Sequence, residues 1–314
     1  MRVFWKSWSP LEAEFELDRL QGLLKNEWVD ANKRQDMGPR DLYLSTNGYY
    51  YKSGNFHKAC LYWEGYTYLK NEYKNFDRDS RWEHRFHFNP IFANKPRCSL
   101  IGIGSFWKRE LELFNELKKN KKFDFTFGMV LGFKKKGEET SDIGYLRQEI
   151  IKAGAGRSFK YYGTGWPSGD PNYGGEAYLT GKRSSPLKFN DARRLMSNIK
   201  FVFALENTYD PVYSQGYLTE KIFHGFLSGS IPIYLGCYNI EKLIPPDLFV
   251  DLRKFNLNIK SAMDYCEKMS QMEYDGYRER INRWLDTSGL AFSCEHRFQE
   301  LDAKITELWA IRTS

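Results

Sequence analysis

The chain has 314 residues, 41% hydrophobic and 17% aromatic, with a formal net charge of +7 and a pI near 8.9. That length points to two domains of ordinary size, and a chain this long buries about three quarters of its unfolded surface without a disulfide or metal staple. It contains no apolar run of about 18 residues and no signal-peptide pattern, so neither a spanning helix nor a cleaved leader is expected. Five cysteines (Cys60, Cys98, Cys237, Cys266, Cys294) are an odd number without CxxC or metal-ligand spacing, as expected of free thiols in a reducing cytoplasm.

Val3–Trp8 is a plausible first strand. Leu11–Lys25 carries Leu11, Phe15, Leu20, Leu23 and Leu24 near helical spacing behind Pro10, which predicts a helix. Asp41–Ser45 and Ala59–Trp63 are short apolar stretches that each end in a polar loop. Asn71–Asn89 is polar, charged and aromatic with little period and reads as loop. Ser99–Gly104 reads as a buried strand, Lys108–Lys119 as a helix, Phe123–Phe133 as a strand and Ile143–Lys152 as a helix. Tyr161–Gly175 is a glycine-rich loop. Phe189–Ser197, Ser261–Ser270 and Asp275–Asp286 read as helices. So does Glu295–Ile311, with Phe298, Leu301, Ile305 and Leu308 on one face. This alternation predicts an α/β chain. The lysine-rich stretch at Asn120 suggests domains 1–120 and 121–314, with a boundary near Lys95 as the alternative.

Much of the positive charge lies in Lys118-Lys119-Asn120-Lys121-Lys122 and Lys134–Lys136. A helix end and a solvated loop account for both runs. Peripheral contact with an anionic membrane surface is the sharper alternative. Nucleic acid is not expected, because no helix-turn-helix, zinc-finger or RNP-type motif is present. His84 and His87 flank Arg85-Phe86, a spacing that puts them on opposite faces of a strand, so no metal is expected there.

Residues 200–255 are the most informative. They read as a buried strand, a polar loop, a helix beginning near Thr219, a turn at Gly229 and a second buried strand. In a parallel α/β sheet ligands collect where strands end and helices begin, because free N–H groups and the helix dipole point there. Glu220 and Lys221 fall in the first turn. A carboxylate suits that end of a helix. A lysine does not, unless an anion such as a diphosphate sits beside it; an exposed lysine without a role is the alternative.

Glu206-Asn207, Tyr217-Leu218-Thr219-Glu220-Lys221 and Ile231-Pro232-Ile233-Tyr234-Leu235-Gly236, continued by Pro245-Pro246-Asp247 and Phe249-Val250, resemble the donor-binding signature of the α1,3/α1,4-fucosyltransferases. The resemblance implies a GT-B fold, two Rossmann-like domains facing across a cleft, with an N-terminal acceptor domain and a C-terminal donor domain. It further implies an inverting, metal-independent transfer of L-fucose from GDP-fucose to a glycan, typically GlcNAc of an N-acetyllactosamine-type unit. Animal and plant members carry an N-terminal membrane anchor. This chain is therefore expected to resemble a cytoplasmic bacterial or viral form, or a trimmed one, with a peripheral place at the inner membrane as the alternative.

Inverting transfer needs a base for the acceptor hydroxyl, positive charge for the departing diphosphate and a donor pocket. Glu64, closing the apolar stretch Leu61-Tyr62-Trp63, matches the glutamate proposed as the family's base; a hydrogen-bonded strand-end residue is the alternative. The family's donor-phosphate arginine lies about 16 residues before a Tyr/Phe-Gly pair, and Arg147 stands 16 residues before Gly163. Arg109 is the runner-up. Arginine suits the role because its fork meets phosphate oxygens bidentately. By resemblance Glu220 contacts donor hydroxyls, Asn207 and Tyr217 border the sugar-diphosphate, Lys221 meets the diphosphate and Glu206 supports the loop. The loop from Thr208 to Gly216 is longer than in compact bacterial forms, which leaves another GDP-sugar, such as GDP-D-arabinose, open. A non-catalytic sugar- or nucleic-acid-binding protein on this scaffold is a further alternative. Asp77-Arg78-Asp79 has the form of a metal-binding DxD, but it sits in a polar loop with its own cations rather than at the end of an apolar strand. No metal or other cofactor is expected.

Overall fold

The computed structural model describes residues 1–6, 17, 20, 22–31, 36–46, 54–62, 81–119, 122–134, 142–177 and 188–310. The chain divides into two compact units. One is Met1–Gly104 with Gln215–Tyr217 and Ala291–Ser314; the other is Ser105–Ser214 with Leu218–Leu290.

The first unit holds strands β1 (Arg2–Lys6), β2 (Glu27–Asp30), β3 (Leu42–Thr46), β4 (His57–Tyr62), β5 (His84–His87) and β6 (Cys98–Leu100). They form a sheet in the order β2-β1-β3-β4-β5-β6, and every pairing is parallel. Parallel neighbours require crossovers, so both faces become covered and the strands are buried. Phe4, Tyr43, Cys60 and Trp82 form part of the core on one side.

The second unit contains α1 (Glu110–Leu117), β7 (Phe125–Val130), α2 (Leu146–Gly154), β8 (Phe159–Tyr162), α3 (Lys188–Met196) and β9 (Ile199–Leu205). It continues with α4 (Glu220–Ser228), β10 (Ile231–Leu235), β11 (Val250–Asp251), α5 (Ile259–Lys268) and α6 (Gln271–Leu285). Its sheet runs β11-β10-β9-β7-β8 and is likewise parallel. The last helix, α7 (Cys294–Ala310), belongs to the first unit.

Two assignments explain why the units change after Gly104 rather than after Asn120. The buried Glu110 carboxylate of α1 pairs with the buried Arg193 guanidinium of α3 at 2.9 Å, and Arg278 of α6 donates to the Lys118 carbonyl at 2.6 Å. A buried charge must keep its partner, so α1 goes with the second sheet. In α7, Asp302 accepts from the Lys25 backbone N–H at 2.6 Å and from Trp28 Nε1 at 2.7 Å. Phe298 meets Trp5 edge-on at 5.2 Å. These contacts return the C-terminal helix to the first sheet.

The predicted strands and helices between Ser99 and Ala310 appear with shifted ends. The segment Asn71–Asn89 is not loop throughout, because His84–His87 is the fully buried strand β5. Three further strands, β2, β8 and β11, lie where none was expected. The polar stretch with Asp77 and Asp79, Lys121, Lys135, Lys136 and most of the predicted helix Leu11–Lys25 fall outside the described residues. Among the described residues no helix is long and apolar enough to cross a membrane.

Candidate functional site

In the second sheet the chain leaves β7 for β8 on one side, then crosses back to place β9 on the other. The loops leaving the carboxyl ends of β7 and β9 therefore diverge, and this switch point is where open α/β sheets bind ligands. Arg147, buried on α2, spans the two loops. Its Nη1 donates to the Gly132 carbonyl after β7 at 2.8 Å, and its Nη2 to Asn207 Oδ1 after β9 at 3.2 Å. With its oxygen turned to the arginine, the Asn207 amide keeps its N–H₂ as the end available for an acceptor group. Gly163 completes this corner. It has φ +140°, and a Cβ there would lie 2.4 Å from the Leu131 carbonyl oxygen. The loop after β8 can thus lie against the loop after β7 only through a glycine. The spacing from Arg147 to Gly163 has a physical basis: both secure the turn at Leu131–Gly132.

Beside Asn207, Glu206 is completely buried. Its carboxylate accepts from the Thr219 backbone N–H at 2.9 Å and from the Thr219 hydroxyl at 2.7 Å. Lys221 Nζ reaches the same carboxylate at 3.1 Å, donates to Thr219 Oγ1 at 2.9 Å and to Glu220 Oε1 at 3.2 Å. Thr219 is the N-cap of α4, whose first two residues are Glu220 and Lys221. A Cβ on Gly236 would lie 2.1 Å from Glu206 Cγ, so glycine makes room for the buried glutamate where β10 ends. The lysine therefore sits at the positive end of a helix because a buried carboxylate behind the cap offsets its charge and aims it. Burial by itself would raise the Glu220 pKa. The Lys221 ammonium, His224 and the helix backbone together outweigh it and bring the group down to about 2. Glu220 is an ionised acceptor at neutral pH, suited to hydroxyl groups and unsuited to acid catalysis.

The structure thus brings Arg147 to Asn207 and Glu220 to Lys221, on the two sides of the Glu206-Asn207 strand end. Tyr217 lies in the first unit, 3% exposed, with its ring 5.7 Å from Phe88. Glu64 falls outside the described residues; β4 ends at Tyr62, two positions earlier. Arg109 directly precedes α1. Thr219, which links Glu206 to Lys221, was not singled out from sequence. Its place immediately before the helix, as a threonine at an N-cap, was the available signal. Among the described residues no group of three or more His, Cys, Asp or Glu side chains could hold a metal ion.

Residues 174–301 match the family described as Glycosyltransferase family 10 (fucosyltransferase) C-term. An α-(1,4)-fucosyltransferase of Arabidopsis thaliana is 45% identical over 88 residues, which are 26% of this chain and 21% of that protein. The α-(1,3)-fucosyltransferase FucT of Helicobacter pylori is 39% identical over 72 residues, 23% of this chain and 14% of that protein. The chain thus matches only about a fifth or less of the length of these curated relatives. A crystal structure of an α1,3-fucosyltransferase with GDP superposes with a TM-score of 0.57 at 15% identity, covering 88% of this chain and 81% of that one. An α-glucosyltransferase in complex with UDP and a 13-mer DNA gives a TM-score of 0.58 at 11% identity, covering 97% and 99%. At such identities the likeness is one of fold: two parallel-sheet α/β units of the GT-B class.

Proposed function

We propose that this chain, whose residues 174–301 match the family described as Glycosyltransferase family 10 (fucosyltransferase) C-term, moves L-fucose from GDP-fucose to a hydroxyl of a glycan acceptor. The proposed transfer inverts the anomeric carbon and makes an α1,3-type linkage, with GlcNAc of an N-acetyllactosamine-like unit as the expected acceptor sugar. The observation that carries this reading is the Glu206–Thr219–Lys221 network, which holds an ammonium at the N-terminus of α4 beside the Arg147–Asn207 corner.

In this reaction the acceptor oxygen attacks C1 of the sugar as the bond from C1 to the β-phosphate oxygen breaks. The bonding pair leaves with GDP, and a base takes the hydroxyl proton. Glu64 is the proposed base. Lys221, the N–H groups of α4 and Arg147 meet the charge that grows on the diphosphate. Two cations here face two carboxylates, so attraction for an anion depends on placement. Glu206 is completely buried behind Thr219, whereas the Lys221 side chain retains 11% of its surface. Lys221 is fixed before substrate arrives, which spares the reaction the cost of orienting it. Glu220 is proposed to accept from sugar or ribose hydroxyls, with Asn207 and Tyr217 bordering the sugar-diphosphate. With leaving-group charge met in this way, the proposed transfer needs no metal, and activity should survive EDTA.

Calorimetric titration with GDP, GDP-fucose, GDP-mannose and UDP-galactose, without metal, tests the donor. Binding of GDP and GDP-fucose alone supports the reading. GDP binding without preference for fucose favours another GDP-sugar, and no nucleotide binding removes it. Glu64→Ala should abolish transfer and keep GDP affinity, whereas Lys221→Ala should weaken GDP binding. Loss of GDP binding in the Glu64 variant would overturn that division of roles.

A further inference from the structure

Two tyrosines in the second unit stand apart from its core. Tyr209 lies in the loop after β9 and Tyr238 in the loop after β10, and their rings stack with centroids 5.4 Å apart and planes 30° apart. Tyr238 is 38% exposed, an unusual setting for an aromatic pair that could have been buried. The pair is held in place. The Tyr238 N–H donates to the Ser214 carbonyl at 3.0 Å, and its own carbonyl accepts from Arg253 Nη1 at 2.6 Å. Arg253 is gripped by Asp251 at 2.8 Å and by Glu241 at 3.0 Å.

The position follows from chain connectivity. Tyr209 is two residues beyond Asn207, and Tyr238 is two residues beyond Gly236, which packs on Glu206. Two residues span at most about 7 Å, so the platform begins within one sugar ring of the anion site. Beside it the Arg253 guanidinium is already held by the buried Asp251 and by the half-exposed Glu241. A guanidinium engaged in this way has less to offer phosphates and acidic sugars, while the half-exposed Glu241 can accept from hydroxyls. An aromatic face against the C–H face of a ring, with hydrogen-bond acceptors at its edge, suits a neutral saccharide.

We propose that the stacked Tyr209–Tyr238 pair is a saccharide-binding subsite that takes a neutral sugar ring of the acceptor. The assignment to the acceptor rests on the transferase reading above; the subsite itself does not.

Saturation-transfer NMR on the full chain, with N-acetyllactosamine and a panel of neutral and sialylated saccharides, tests it beside calorimetric GDP titration. A neutral saccharide should receive saturation. Tyr209→Ala and Tyr238→Ala should weaken that binding about ten-fold or more, while GDP affinity changes less than about three-fold and Tyr238→Phe stays near wild type. Binding that persists in both alanine variants, or a wild-type chain that binds no neutral saccharide, overturns the proposal. So does GDP affinity falling in step with saccharide affinity, which would put the nucleobase on the platform. A wild-type chain that binds saccharide through these rings but binds no GDP would remove the transferase reading and leave the subsite standing.

Discussion

Strands β5 and β10 are both buried at every residue, yet one reads His-Arg-Phe-His and the other Ile-Pro-Ile-Tyr-Leu. Each lies between two parallel neighbours. The polar side chains of β5 are housed along the strand itself: His84 Nε2 bonds Ser99 Oγ of β6 at 3.0 Å, and His87 stacks on Phe92 at 3.8 Å. In the second unit β10 and the carboxyl half of β9 are apolar, and the polar groups gather beyond their ends, at Glu206, Asn207, Thr219 and Lys221. Even Pro232 obeys this division. β11 meets β10 only at Ile233 and Tyr234, so Pro232 lies outside that short ladder, where a missing donor is tolerated. Polar groups inside a ladder serve the fold, and polar groups past its carboxyl end are free to serve a ligand.

The sharpest way to break this contrast is at Glu206. Glu206→Ala strips the buried partner from Lys221 and two acceptors from Thr219, and should cost about 3–5 kcal/mol. Urea titration reads it, and an unchanged midpoint would mean the network carries no weight. Thr219→Val keeps the shape and removes one hydroxyl, leaving the Glu206 carboxylate one donor short, at about 1–3 kcal/mol. Thr219→Ser should recover most of that loss in stability and in GDP affinity. Equal losses for Ser and Val would show that the methyl group matters instead.

The same contrast explains what the sequence could show. β9, α4 and β10 were legible because apolar runs of strand length bracket an N-cap threonine and the left-handed Gly229 that ends the helix. Glu220, Lys221, Asn207 and Arg147 were singled out by resemblance, while their hydrogen-bond partners within one unit were not readable from sequence. β5 was not legible, since burial there depends on partners from neighbouring elements and leaves no period-2 pattern. β2 and β8 are four residues each, too short for alternation to register. The return of α7 to the first unit was hidden as well. It depends on Asp302 meeting Lys25, Asn26 and Trp28, contacts across nearly the whole length of the chain.

His87 sharpens the view of β5 as structural. Burial, with the Arg85 charge beside it, holds its imidazole well below the ordinary 6.5. The unfolded chain takes up this proton near pH 6.5 and the folded chain only at lower pH. Stability from this residue is therefore complete above that value and falls as the pH drops, by up to about 1.4 kcal/mol per pH unit. His87→Leu, of similar size, should flatten the decline in melting temperature between pH 7 and 5 while leaving GDP affinity near wild type. A slope identical to the parent's would assign the acid sensitivity to other groups.

Glu220 gives the smallest effect and the one specific to the strand-end cluster. Its pKa falls from 4.5 to about 2 in the folded chain, so the folded state holds the proton less tightly than the unfolded state does. The stabilisation is fully present above about pH 4.5 and drains away as the pH falls toward 2. One third of the side-chain surface is exposed, so solvent screening limits the gain to about the 0.2–1 kcal/mol of an accessible ion pair. Glu220→Gln should therefore be slightly less stable than the parent at pH 7 and converge on it below pH 3, whereas His87→Leu diverges from the parent at the higher, histidine window. If the Gln variant and the parent keep a constant gap down to pH 2, the carboxylate contributes packing rather than charge. The proposed anion site at the head of α4 would then rest on Lys221, Arg147 and the helix N–H groups alone.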